Sequence, residues 1–146
     1  MPYATRADIE KVYGAQLVQI IADLTEDGVA EDEAVAQALE EASSEIDSYI
    51  GVRYPQVPLD PVPKILITYC RDMAVYRLAL NSGARTTEMR VRYEDALKFL
   101  EKVATGKVTL IQVEGDVDGD GDADDDDDAL AQALKRPYVV RTTRGN

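Results

Sequence analysis

The sequence predicts an all-α fold: a small helical bundle of two short and three longer helices, followed by an extended acidic linker and a C-terminal arm. Two apolar stripes and one interruption carry that prediction. Val35, Leu39, Ala42, Ile46 and Tyr49 or Ile50 recur at steps of three or four residues, the spacing that lines one face of an α-helix. Met89, Tyr93, Ala96, Leu97, Leu100 and Val103 draw a second stripe of the same kind. Between them YPQVPLDPVP places four prolines in ten residues, and proline lacks the N–H and the backbone freedom of a helix interior.

The elements follow in order. Thr5 and Asp8 have the spacing of a capping box, with Asp where Glu or Gln is usual, and open a helix over residues 6–13 that Gly14 closes. A second short helix is expected over residues 15–23 from Leu17, Val18, Ile20 and Ile21, broken by turn chemistry at residues 24–28. The third spans about residues 32–52, and its outer face carries Glu33, Gln37, Glu40, Glu41, Ser44, Glu45 and Asp47. Pro63 suits the first turn of a fourth helix over residues 64–80. That helix is apolar on more than one side, so it belongs at the centre of a bundle or in an oligomer interface, with Tyr69, Met73 and Tyr76 as its core or oligomer-facing residues. Asn81, Ser82 and Gly83 end it. A fifth helix begins at Thr86 or Thr87 and stops at Gly106, and the β-branched run KVTLIQV over residues 107–113 reads as an extended arm. The chain thus divides into a helical body (1–113), an acidic linker (114–128) and a C-terminal arm (129–146).

Charge is concentrated rather than spread. The body carries 12 basic and 18 acidic groups, the linker ten acidic groups and no basic one, and the arm a net +4 from Lys135, Arg136, Arg141 and Arg144. Such a balance argues against wrapping nucleic acid, whose phosphates need Lys and Arg. No window is apolar enough for a membrane span, and the N-terminus lacks the basic start and apolar run of a signal peptide. Cys70, alone among Leu66, Ile67, Tyr69 and Met73, reads as a buried small hydrophobe in a protein made in a reducing cytoplasm.

Enzyme chemistry is not expected. The chain has no His, its single Cys has no base partner, and no phosphate-binding or nucleophile-elbow motif occurs. Adjacent carboxylates such as Glu40–Glu41 and Glu94–Asp95 point apart on a helix. Arg85, Arg90, Arg92 and Lys98 around Tyr93 have acidic neighbours at helical spacing and read as local ion pairs. The acidic segment has a second reading. Asp116, Asp118, Asp120, Asp122 and Asp124 occupy the odd positions of a calcium loop, with Gly121 at the sixth and Asp127 at the twelfth. The twelfth position lacks the usual Glu, the eighth is Ala123, and the flanks are poor helices, so a solvated linker is favoured over a Ca²⁺-binding interaction module and no cofactor is expected.

Four blocks, YATRADIEKVYG, SSEIDSYIGVRYPQVPL, VPKILITYCRDMAVYRL and VRYEDALKFLEKVATGKVTL, resemble in order and spacing the small structural proteins of Mu-like phages and prophages, grouped with head–tail connector (adaptor) proteins. The resemblance covers about residues 2–110, and EIDSYIGVRYP is its most telling run. It implies a non-enzymatic virion subunit, made in the host bacterial cytoplasm and placed at the head–tail junction. There a homo-oligomeric ring, usually of twelve copies, sits beneath the portal protein, extends the DNA channel and joins a stopper or tail-completion protein. DNA then passes without sequence-specific binding, and no membrane is involved. The end RPYVVRTTRGN is more loosely similar to the arginine-bearing ends of such proteins. The resemblance therefore implies that Tyr138, Val139, Val140, Arg141 and Arg144 dock on the portal or a neighbouring subunit. The insertion DVDGDGDADDDDD departs from the family pattern, between body and arm.

Overall fold

In a computed structural model, residues 1–28 and 30–111 are described, and they hold five helices: α1 (Arg6–Tyr13), α2 (Ala15–Ala22), α3 (Asp32–Ile50), α4 (Lys64–Ser82) and α5 (Thr87–Ala104). The all-α class is therefore as the sequence predicts. Met1–Leu110 form one compact unit; of the second, Ile111–Asn146, only Ile111 lies among the described residues.

Local chemistry sets the helix ends. Thr5 and Asp8 form the capping box: the Asp8 N–H donates to Thr5 Oγ1 at 3.3 Å, and the Thr5 N–H donates to Asp8 Oδ2 at 2.8 Å. The Thr5 N–H, with the Thr5 hydroxyl that also donates to Asp8 Oδ2, holds the Asp8 carboxyl below its ordinary range. Thr86 caps α5 through the Met89 N–H at 3.2 Å. The α4 helix runs to Ser82 rather than residue 80, because the left-handed turn that stops it falls on Gly83, at φ 74°. Conversely, α3 stops at Ile50 rather than residue 52, and the N–H groups of Arg53 and Tyr54 both turn back to the Ile50 carbonyl.

The bundle is organised around α4, which touches α1, α2, α3 and α5. It buries Leu66, Cys70, Asp72, Met73, Ala74, Val75, Leu78 and Ala79, so that nearly every turn has side chains facing two neighbours. The stripe expected on α3 is the buried one, Val35, Leu39, Ala42, Ile46 and Ile50, and α5 contributes Met89, Ala96, Leu100 and Val103. Each large apolar side chain removed from water in this way contributes about 1.5–3 kcal/mol.

Tyr3 ties the N-terminus to this frame. Its N–H donates to Ser43 Oγ at 2.9 Å, its hydroxyl donates to Asp47, and the same oxygen accepts the Leu59 N–H at 3.1 Å. One buried ring thus joins the N-terminal segment, α3 and the proline-rich connection. Burial, reinforced by Asp47, pushes the Tyr3 hydroxyl far above the usual tyrosine range.

The Tyr3→Phe substitution keeps the ring but leaves the Leu59 N–H without its acceptor, so it is expected to destabilise the protein by about 1–3 kcal/mol. Urea denaturation followed by circular dichroism checks this, and an unchanged midpoint contradicts the role given to the hydroxyl.

Candidate functional site: the α4 seam, the chain exit and an acidic groove

Of the residues singled out on α4, Met73 is completely buried in the bundle core. Tyr69 lies half-buried against Phe99, ring centroids 4.9 Å apart, and Tyr76 stacks on Tyr93 at 4.4 Å with the planes 15° from parallel. The Tyr93 hydroxyl donates to Glu45 Oε1 at 3.1 Å, which extends the seam to α3. The apolar surface of α4 is therefore largely used inside one chain. Its exposed large apolar residues are Ile65 and Leu80, one near each end. Of the two places that the sequence allowed α4, a bundle centre or an oligomer interface, the described body gives it the first, with α1, α2, α3 and α5 packed around it. The other singled-out residues, Asp116, Asp118, Asp120, Asp122, Asp127, Tyr138, Val139, Val140, Arg141 and Arg144, lie outside the described residues.

Asp72 is the charged residue that this apolar helix buries, and it is 7% exposed. It accepts the Tyr13 hydroxyl at 2.9 Å and Arg71 Nε at 3.2 Å. Arg92 completes the cluster. Its Nη1 donates to the Tyr13 oxygen at 3.1 Å, its guanidinium lies 5.3 Å from the Tyr13 ring centroid, and its Nη2 pairs with Glu88 at 2.6 Å. Three helices, α1, α4 and α5, are thus joined by one polar knot. Burial, then the nearby Asp72 charge, pushes the Tyr13 hydroxyl up to about 12. A tyrosine held protonated in this way is a structural donor rather than a base. Of the local pairs expected around α5, Arg90 with Glu94 at 3.7 Å and Lys98 with Asp95 at 3.9 Å are present. Arg85, ahead of the helix, makes no ion pair among the described residues, and sequence spacing did not reveal the reach of Arg92 to Tyr13.

The point where the chain leaves the body is also held. Arg53 Nη1 donates to the carbonyls of Val103 and Val108 at 3.3 and 3.1 Å, and the Tyr54 hydroxyl accepts the Leu110 N–H at 2.9 Å. Gly106, at φ 81°, makes the turn, and its Cα face lies close against the Arg53 guanidinium. Residues 107–111, expected to be an extended arm, form no strand. The N–H groups of Lys107 and Val108 fold back to the Lys102 carbonyl, and Leu110 is buried. No sheet edge among the described residues offers this β-branched run a partner, so packing on the helices prevails over its strand propensity. Residues 112 and 113 lie outside the described residues.

A groove of about 180 Å³ opens between α3 and α4. Leu24, Ala34, Ala38 and Leu78 supply its apolar lining, and Glu31, Glu33 and Glu41 its acidic one. Arg77, also in the lining, is held by Glu41 at 3.4 Å and by Glu45. Among the described residues no group of His, Cys, Asp or Glu side chains is arranged to hold a metal ion, and no helix is long and apolar enough to cross a membrane.

With this geometry in place, comparison with known proteins decides the family. The family model described as "Bacteriophage Mu, Gp36" matches residues 3–126, from the Tyr3 clamp through the whole helical body into the acidic segment. The chain belongs to this phage family. It is 42% identical over 108 residues to the Mu-like prophage FluMu protein gp36 of Haemophilus influenzae, covering 74% of each chain. It is 34% identical over 108 residues to Gene product J of Escherichia phage Mu, covering 73% of this chain and 74% of that one. These relatives share the chain's length scale and make it a phage protein of the Mu-like group.

The Tyr13 shift has a consequence in alkali. Its hydroxyl is raised above the ordinary value, so its contribution to stability is complete below about pH 10 and is lost as pH rises toward about 12. Thermal melts across that range are expected to show Tyr13→Phe losing less stability with pH than the unmodified chain. Parallel pH profiles contradict the assignment.

Proposed function

We propose that this phage protein is a non-enzymatic structural subunit of the virion head–tail junction, an adaptor whose copies form a ring beneath the portal. The ring, of twelve copies in this reading, extends the DNA channel and joins it to a stopper or tail-completion protein. The observation that carries the proposal is the ordered four-block resemblance to connector proteins, lying within a chain that belongs to a Mu family. Physical features support it. The described body is a self-contained helical unit in which the buried Asp72 and Tyr3 and the half-buried Tyr13 are engaged in holding helices together. An acidic body suits a conduit, because carboxylates repel phosphates and keep DNA from lodging. The Arg53 and Tyr54 contacts set where the chain departs toward its basic end, residues 129–146, whose Tyr138, Val139, Val140, Arg141 and Arg144 make the joint in this reading.

The calcium-loop spacing of Asp116 to Asp127 favours a second reading, a Ca²⁺-binding interaction module. Calorimetry separates it, since stoichiometric micromolar binding of Ca²⁺ belongs to that reading and not to the first.

Electron microscopy of the purified protein with and without its portal tests the adaptor reading. Rings, or collars on the portal, are the expected result, and deleting residues 129–146 is expected to abolish the collar while the circular dichroism spectrum stays helical. A persistent monomer that never decorates the portal contradicts it.

A further inference from the structure

The α3–α4 groove is a concave feature of the body that the adaptor reading leaves without a role, and its lining is chemically lopsided. Arg77, its one cation, is already engaged by Glu41 and Glu45, so it does not neutralise Glu31 or Glu33. Those two carboxylates form no ion pair among the described residues, and Leu24 beside them is 48% exposed. A mostly polar groove with a small apolar part and uncompensated negative charge fits a segment that sets a short apolar run beside cationic side chains. The chain carries one such segment. Residues 129–146 have a net charge of +4 and place Tyr138, Val139 and Val140 directly before Arg141 and Arg144. The other concentration of carboxylates, residues 114–128, is nearly all Asp and Gly, with little apolar surface for those side chains to cover.

A closed ring needs two different surfaces on each subunit, one meeting the other head to tail. The acidic groove and the basic end are two such complementary surfaces on one chain. We propose that the groove between α3 and α4 receives the basic end of a neighbouring copy, the apolar run against Leu24 and Ala34 and the arginines against Glu31 and Glu33. This rests on the reading that copies associate, and it names the surfaces through which they do so. Exposed charge pairs of this kind steer the encounter and set its register, while the apolar contacts hold it.

The test traps the contact between full-length chains. Protein carrying Gln37→Cys, in the groove, is mixed with protein carrying Val139→Cys under mild oxidation. Cys70 is fully buried, and burial raises its thiol, so it stays out of the exchange. The expected result is a disulfide-linked heterodimer that forms roughly tenfold faster than with Val91→Cys, exposed on α5, as the groove partner's replacement. The preference is expected to fall in about 0.5 M salt, which screens exposed charges, and in a groove chain that also carries Glu31→Gln and Glu33→Gln. Glu31 makes no side-chain cap bond to α3, so that double substitution removes charge and leaves the cap geometry alone. Equal trapping at Gln37→Cys and Val91→Cys overturns the proposal. Electron micrographs of the same samples keep two failures apart. Rings without preferential trapping overturn the groove as acceptor, whereas absence of both rings and trapping overturns the association it rests on.

Discussion

Everything in this body depends on one helix being packed against four others along most of its length. The α4 helix carries Leu66, Cys70, Met73, Val75 and Leu78 into the interior, and α1, α2, α3 and α5 are arranged to receive them. Two alanines, Ala74 and Ala79, lie among those fully buried positions. The short helices α1 and α2 owe their place to this requirement. Eight residues each are too few to be stable alone, and Ile9, Val18 and Ile21 hold them by packing into the same core.

Polar side chains then specify how the helices sit around α4. Tyr3 joins α3 to the proline-rich connection, Asp72 with Tyr13 and Arg92 joins α1 to α4 and α5, and Arg6 bridges to Asp32 at the start of α3. At the Tyr3 and Asp72 clusters, removing one member leaves a buried partner unsatisfied, which costs more than the bond itself contributes, whereas the Arg6–Asp32 bridge lies at the surface. Arg53 and Tyr54 apply the same logic to the chain's exit and fasten the turn after α5 to the turn after α3. The α4 helix keeps little apolar surface outside, Ile65 and Leu80 apart, while Val12, Ile20, Val52 and Val91 stand exposed on other parts of the body.

The sequence made the helices legible because a buried stripe imposes its own period. Val35 to Ile50 and Met89 to Val103 repeat at helical spacing, and the Thr5–Asp8 cap and Gly83 stop are local signals. What covers an apolar helix is not a local property. The run around Tyr69, Met73 and Tyr76 fits a bundle centre or an interface equally well until the neighbours are placed. Tyr3, Arg53 and Tyr54 were invisible for a related reason. Their partners lie 40 to 56 residues away, at Ser43, Val108 and Leu110 among others, and no spacing rule reaches that far. One signal was available and passed over: a lone acid, Asp72, inside the most apolar helix demands donors from elsewhere. The family resemblance implied none of these ties, though it marked their place. Its most telling run, EIDSYIGVRYP, contains the very residues, Asp47, Arg53 and Tyr54, that make the long-range ties.

The central claim is that α4 is covered by its own chain, so that the body is complete before any assembly. Hydrogen exchange of the backbone amides, followed by NMR on dilute free protein, measures this most directly. The amides between Cys70 and Ala79 are expected to be the slowest in the molecule, exchanging only through global unfolding and at rates that do not change with protein concentration. Exchange in α4 as fast as in α1 and α2, or protection that grows with concentration, would mean that a partner covers the helix and would contradict the account.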